Sequence, residues 1–291
     1  MSGDLHCHTR LSNGSLSIDE MIALAKSKGV ETIAITDHDC LTGTVRAKLI
    51  GERNGIKVIT GAEISALDPE TKEVVHILCY LPEFPDRLEE ICHHNSTVRK
   101  RACQYMMLKV SQRYPVSPEL IKRCATGAVN LFPQHFMQAL TEIGAADGFY
   151  GKVYEELFSP ESESNIVMKP AFKDAVTVID AIHTANGIAV LAHPVKYGGI
   201  ETCERYLKYG IDGIEAWHPS ADKETSDILA AFAKANKILA TGGSSFHGLY
   251  NKDVLTIGSF CTPKAQLQEL LGYKAKQKRL QKKLSAQNTE E

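Results

Sequence analysis

The sequence predicts an α/β protein on a parallel sheet, open or closed into a barrel, with a helical insertion in its middle. Three observations predict it. Short apolar runs of strand length alternate with helix-period segments over residues 1–84 and again from residue 173, as repeated β-α units do. Residues 85–172 carry helical patterns and almost no strand signal. The 291 residues, 43% hydrophobic and 23% charged, have an ordinary globular composition and suffice for one large domain, or one domain with an insertion.

The elements follow in order. Residues 5–8 close a first strand. Ile18, Met21, Ile22 and Ala25 keep the i, i+3, i+4, i+7 spacing of an amphipathic helix. Ser17 and Glu20 form a capping box at its start, and Gly29 stops it. Thr32-Ile33-Ala34-Ile35 is the second strand, and a helix over 44–54 ends at Gly55. Val58-Ile59-Thr60 leads into Gly61-Ala62-Glu63, and residues 74–79 are β-rich. Later helices are expected over 174–185, 201–208 and 223–236, with strands at 188–191, 213–215 and 238–240. Six basic residues fall within 274–283 and read as a solvated helix end or tail. The expected division is an α/β domain (1–84 and 173–265), a helical insertion (85–172) that should cover the barrel mouth, and a basic C-terminal helix or tail (266–291).

Composition excludes several classes. The longest apolar run, 187–192, is far short of a membrane span. No basic stretch with an apolar core opens the chain, so no signal peptide is expected. A net charge of -2 argues against bulk binding to nucleic acid but not against a local anion site. The 8 cysteines form no CxxC pair and read as reduced thiols of a cytoplasmic protein.

The 11 histidines are the informative residues. His6-Cys7-His8 ends the first strand, where residues i and i+2 share a face. Thr36-Asp37-His38-Asp39 ends the second, and Glu63 the third. His76 lies in the fourth run, His193 follows the next, and His247 follows the last. In a parallel α/β barrel, C-terminal strand ends converge on one mouth. Six histidines and one glutamate there suit zinc, manganese or iron, and more than one ion. His93 and His94 fall on an exposed helix, and His183 on a half-buried helix face, so these three are read as structural. His135 and His218 are intermediate. Asp37 is read as a partner that orients a ligand histidine.

Asp4-Leu5-His6-Cys7-His8-Thr9, Ile35-Thr36-Asp37-His38-Asp39, Gly61-Ala62-Glu63-Ile64-Ser65, Ala192-His193-Pro194 and the 243–248 stretch resemble, in order and spacing, the PHP (polymerase and histidinol phosphatase) family. The inserted segment resembles the TrpH-like branch. The resemblance implies a distorted (β/α)7 barrel of PHP type with an inserted helical subdomain and up to three metals at its C-terminal mouth. It implies His6, His8 and Glu63 on a first metal, His38 and His247 on a second, and His76 and His193 with bridging Glu63 on a third. Two positions depart: Asn13 stands where the family has an acidic or histidine ligand, and Ser245 where it has aspartate. Both are neutral, weaker donors, so incomplete loading is expected, with the second site the least occupied. Asn13-Gly14 is also a deamidation-prone dipeptide, and its deamidation would restore an acid.

The implied activity is metal-dependent phosphoester hydrolysis by a metal-activated hydroxide, with two or three Mn, Fe or Zn ions. Nucleotide 3',5'-bisphosphates and short RNA 5' ends are the expected substrates. The alternatives are a cyclic phosphodiesterase acting on a phosphorylated ribose cyclic phosphate, and a non-catalytic phosphate-binding module. His193 and His218 are the candidates for leaving-group protonation. Arg99, Arg101 and Lys169 are expected to clamp a second phosphate, with His135 lining the pocket.

Overall fold

The structure, a computed structural model, describes residues 2–287. Seven strands form one sheet in chain order. They are β1 (Gly3–Cys7), β2 (Thr32–Ile35), β3 (Lys57–Leu67), β4 (Val74–Tyr80), β5 (Ile188–Leu191), β6 (Gly213–Trp217) and β7 (Leu239–Gly242). The sheet curls into a nearly closed barrel: His8 N–H donates to Phe246 O at 2.9 Å and Phe246 N–H to His6 O at 3.2 Å, joining β1 to the segment after β7. Glycine makes that approach possible, since a Cβ on Gly243 would lie 2.4 Å from the His6 nitrogen.

The sheet is not all parallel. β1, β2 and β3 run together, as do β5, β6 and β7, but β4 is antiparallel to both β3 and β5. Residues 68–73 are too few for the crossover that a parallel pair requires, whereas an antiparallel pair needs only a turn. Asp68 organises that turn by accepting the Glu70 and Thr71 amides at 2.9 and 3.0 Å. The reversal matters for the site. His76 lies near the start of β4, not at a C-terminal end, and antiparallel pairing brings it opposite Ser65, at the mouth.

The helices are α1 (Ile18–Ser27), α2 (Thr44–Asn54), α3 (Glu89–Arg113), α4 (Pro118–Cys124), α5 (Pro133–Glu142), α6 (Lys152–Phe158), α7 (Ala175–Thr184), α8 (Ile200–Lys208), α9 (Lys223–Ala235) and α10 (Lys264–Gln287). The capping box of α1 forms between Ser17 and Glu20. Among the described residues, no helix is long and apolar enough to cross a membrane. Leu5, Ile59, Leu78, Tyr80 and Val190 pack inside the barrel, and a second layer joins the sheet to α7, α8 and α9. The segment α3–α6 has its own apolar cluster around Val110, Ile121, Phe136 and Leu140.

The C-terminal helix is more than a tail. Leu267 and Leu270, one turn apart, are buried against the barrel interior and close its floor. Tyr273 donates from its hydroxyl to Asp212 Oδ1 at 2.7 Å. Lys276 and Lys278 beyond them are exposed, and residues 288–291 of the expected tail lie outside the described residues.

Asp212 also receives the Ala189 amide at 2.8 Å and faces His183 Nε2 at 2.9 Å, which ties α7 to the same floor. The hydrogen bond to Asp212 raises the His183 pKa above its usual value, against the effect of partial burial. A raised pKa stabilises the fold fully below the unfolded value of about 6.5, and that contribution fades as pH rises through the folded value. The His183 side chain is 38% exposed, so solvent screens the pair. His183→Ala is expected to lose less than about 1 kcal/mol of this charge-dependent stability at pH 6. Urea unfolding at several pH values should show the gap to wild type narrowing above the raised pKa; a pH-independent gap would show that charge is not involved.

Candidate active site

Glu63 is the hub of the barrel mouth. It sits within β3 and is 2% exposed. Its Oε2 lies 3.0 Å from His6 Nε2, 3.0 Å from His8 Nε2 and 3.6 Å from His38 Nδ1. Its Oε1 lies 3.1 Å from His76 Nδ1 and 3.0 Å from His193 Nε2. The two oxygens thus serve two sets of imidazoles. His247 completes the group, its ring centroid 4.2 Å from that of His8. Its Nδ1 faces Ser245 O at 2.5 Å, which leaves Nε2 as the available ligand nitrogen. All seven residues expected to ligate metal therefore converge.

The donor set fits divalent cations. One carboxylate cannot satisfy five imidazoles, and His8 Nε2, His38 Nδ1 and His76 Nδ1 are buried near Glu63 without hydrogen-bond geometry. Buried polar atoms are rarely left so unless a ligand takes them up. Burial drives the pKa values of His38, His193 and His247 well below the usual histidine range, which keeps them neutral with lone pairs available. Burial opposes the charge on Glu63 too, yet the charge on His6 and the hydrogen bond from His193 hold its carboxyl well below the usual range. His6, His8 and Glu63 could hold one ion, His76, His193 and Glu63 a second, and His38 with His247 a third.

Glu215 is the site residue that sequence reasoning missed. From β6 it accepts His6 Nδ1–H through Oε1 at 2.9 Å and the His193 amide through Oε2 at 2.9 Å. Burial works against charge on His6, but Glu215 and Glu63 outweigh it and push the pKa up to about 10. A carboxylate on Nδ1 leaves Nε2 directed at the cluster, the arrangement that orients metal-binding histidines. The signal was present: an acidic residue near the end of a strand run, followed by His218. The orienting role expected of Asp37 thus belongs to Glu215. Asp37 accepts Thr9 N–H at 2.8 Å, Thr9 Oγ1–H at 2.6 Å and Ser12 Oγ–H at 2.6 Å, and so braces the loop after His8.

That loop carries Asn13 to the cleft. A Cβ on Gly14 would meet His8 O at 2.1 Å, so the backbone there tolerates only glycine. The Gly14 amide donates to Thr9 O at 2.9 Å. Deamidation needs this nitrogen to attack the Asn13 side chain, so the fold opposes the reaction expected of the isolated dipeptide. Ser245 also lines the cleft, with a left-handed φ of 46°. Asp39 and His193 share that uncommon conformation at φ 51° and 30°. Non-glycine residues hold it where surrounding contacts over-determine them.

At Asp39 the contacts come from α3. Asn95 donates to Asp39 Oδ1 and Ser65 O, both at 2.7 Å. Arg99 Nη2 donates to Asp39 Oδ2 at 2.9 Å and Ser65 Oγ at 2.7 Å, and its guanidinium stacks on Phe132 and Phe172. Arg99 therefore pins α3 to the loop beside His38 and is not among the residues that line the cleft. Neither are the other expected clamp residues. Arg101 is exposed on α3, and Lys169 pairs with Glu73 at 2.8 Å on the surface. His135 is buried behind the cleft, its Nδ1 accepting the Phe132 amide at 3.1 Å, and burial lowers its pKa to about 4.

The cleft above Glu63 holds about 450 Å³. Its cations are Lys196, three residues after His193, and Lys252, five after His247. Gln134 and Tyr150 reach it from the helical segment. His218 lines the same cleft. A larger hollow, between α9 and α10, lies away from the cluster.

Residues 4–239 match the PHP domain family. A phosphoribosyl 1,2-cyclic phosphate 1,2-diphosphodiesterase of Eggerthella lenta is 30% identical over 87% of this chain and 96% of its own length. A 3',5'-nucleoside bisphosphate phosphatase of Chromobacterium violaceum is 27% identical over 84% of this chain and 86% of its own. A solved structure from Bifidobacterium adolescentis superposes with a TM-score of 0.82 over 92% of this chain and 95% of that one, at 24% identity, and shares the fold. A buried histidine and carboxylate cluster at a barrel mouth, a family match across most of the chain and a relative aligned over nearly its whole length agree: the chain belongs to the PHP domain family of metal-dependent phosphoesterases.

Proposed function

We propose that this protein hydrolyses small substrates carrying two phosphates, nucleoside 3',5'-bisphosphates first among them, with short RNA 5' ends as an extension of the same class. The observation that carries the reading is one buried carboxylate divided between two sets of imidazoles beneath a cleft whose cations are Lys196 and Lys252. Two or three divalent ions (Mn, Fe or Zn), when bound, would lower the pKa of a water to give hydroxide near neutral pH and offset the phosphate charge. His6, His8, His76 and His193 with Glu63 form the two stronger sites. His38 and His247, flanked by neutral Asn13 and Ser245, form the weakest. Lys196 and Lys252 are point charges suited to a phosphate outside the reacting centre.

A second reading, hydrolysis of a ribose cyclic phosphate, is favoured by the Eggerthella lenta relative. Both substrate classes carry two phosphates, so both use the lysines. A panel of nucleoside 3',5'-bisphosphates, monophosphates, short 5'-phosphorylated RNA and a phosphoribosyl cyclic phosphate, with Mn, Fe or Zn added, separates them. The bisphosphate reading expects the highest kcat/KM on the bisphosphate; highest turnover of the cyclic ester would replace it with the second. Lys196→Ala is expected to raise KM for bisphosphates about 10-fold, the scale of one lost bond to a charged group, with a smaller effect on monophosphates. Equal effects on both substrates would count against a second phosphate at Lys196.

A further inference from the structure

His218 follows β6 and is 3% exposed. Its ring lies 5.1 Å from that of His193 and 5.9 Å from that of His6, so it borders the cluster. With His6 and Glu215 it forms a trio whose spacing alone would admit a metal ion. The hydrogen bonds argue otherwise. His218 Nδ1 accepts the Ser220 backbone N–H at 3.0 Å and lies 2.8 Å from Ser220 Oγ. A backbone amide can only donate, so Nδ1 carries no proton. A neutral imidazole then bears its proton on Nε2. That nitrogen is buried without a partner, in a side chain that lines the cleft above Glu63. A protonated Nε2 offers no lone pair to a cation. On the His218 side His6 presents only Nδ1, which is already held by Glu215, while its Nε2 faces the cluster at Glu63.

We propose that His218 is a substrate-binding residue, a fixed Nε2–H donor to an oxygen of the bound phosphate ester, and that it takes no metal. It supplies a hydrogen bond and not a proton, because giving up the Nε2 proton would leave an imidazolate. A proton for the leaving group therefore comes from another donor. The Ser220 amide acts on substrate through His218, by fixing its tautomer. The proposal rests on the phosphoesterase reading for the identity of its ligand, and on Ser220 and the buried Nε2 for its direction.

The test uses the zinc-loaded full-length protein and inorganic phosphate as probe. Nitrogen-15 spectra of the histidines should show His218 protonated at Nε2 and bare at Nδ1, with Nε2–H shifting as phosphate is added. His218→Leu should weaken phosphate binding about 10- to 100-fold, as loss of a bond to a charged group does. His218→Gln, which places an amide donor near the position of Nε2, should recover part of that loss. Both variants should keep wild-type zinc content. A proton on Nδ1, zinc content lowered by either variant, or phosphate affinity unchanged in His218→Leu overturns the proposal. Failure of the loaded wild-type protein to bind phosphate overturns it together with the phosphoesterase reading, whereas wild-type binding that His218→Leu leaves intact overturns this proposal alone.

Discussion

Replacing Glu63 by glutamine is expected to lower kcat on phosphate esters by about three orders of magnitude or more, a barrier increase of about 4 kcal/mol. The change keeps the shape of the side chain and removes its charge. One oxygen becomes an amide donor, which faces either the His76 and His193 pair or the His6, His8 and His38 group. Whichever set it faces loses its shared ligand. The other keeps a neutral carbonyl, a poor substitute for carboxylate on zinc, manganese or iron. Metal content should fall with kcat. Glutamine fits the same space, so the thermal unfolding midpoint of metal-free protein should stay within a few degrees of wild type. Turnover within tenfold of wild type would mean that Glu63 is not the hub.

The second large effect is expected at Glu215. Glu215→Gln should weaken metal binding about 10- to 100-fold, the range seen when the carboxylate behind a ligand histidine is lost. The mechanism is specific. Glu215 accepts from two donors at once, His6 Nδ1–H and the His193 amide. Glutamine has one acceptor oxygen. If that oxygen keeps the His193 amide, its NH2 meets His6 Nδ1 and drives the ring proton to Nε2, which removes His6 as a ligand. If it keeps His6, the His193 amide is left buried without an acceptor at a backbone of φ 30°. Chelator competition on purified protein measures the affinity. Retention of wild-type affinity would show that Glu215 does not orient the cluster.

Much of this was legible in the sequence, for physical reasons that also explain the failures. The β-α rhythm follows from the differing periods of strands and helices, so the elements of the α/β part were found one by one, while 85–172 was read only as helical. Strand direction leaves no trace in periodicity, and the reversal of β4 could be read only from the short 68–73 connection. The pattern of Leu267 and Leu270 was overshadowed by the lysines that follow them, although those leucines close the barrel floor. In the site, each candidate ligand histidine was visible because it ends or follows an apolar run or, as at His76, interrupts one. Asp37 looked like a histidine's partner because it adjoins His38, yet neighbours on an extended chain point to opposite faces, and its carboxylate turns to Thr9 and Ser12. Charge density on α3 drew attention to Arg99 and Arg101, while the cations of the cleft are single lysines on the short segments after His193 and His247. Only the fold could reveal that Arg99 is already engaged by Asp39 and Ser65.

Asn13 and Ser245 bear on function through charge. They leave the cleft less negative than two carboxylates would, which favours a phosphate and, in the proposed function, would weaken the grip on an ion at His38 and His247. The non-catalytic alternative rests on these two positions alone. Against it stand the convergence of all seven residues expected to ligate metal and the carboxylate hydrogen-bonded to His6.

The most direct test is turnover of a nucleoside 3',5'-bisphosphate by protein stripped of metal with a chelator and then reloaded with Mn, Fe or Zn, with bound metal counted in parallel. The account predicts no turnover in the stripped protein and recovery on reloading, with at most two tightly held ions per chain. Turnover that survives stripping, or no turnover of any phosphate ester after full reloading, would contradict it.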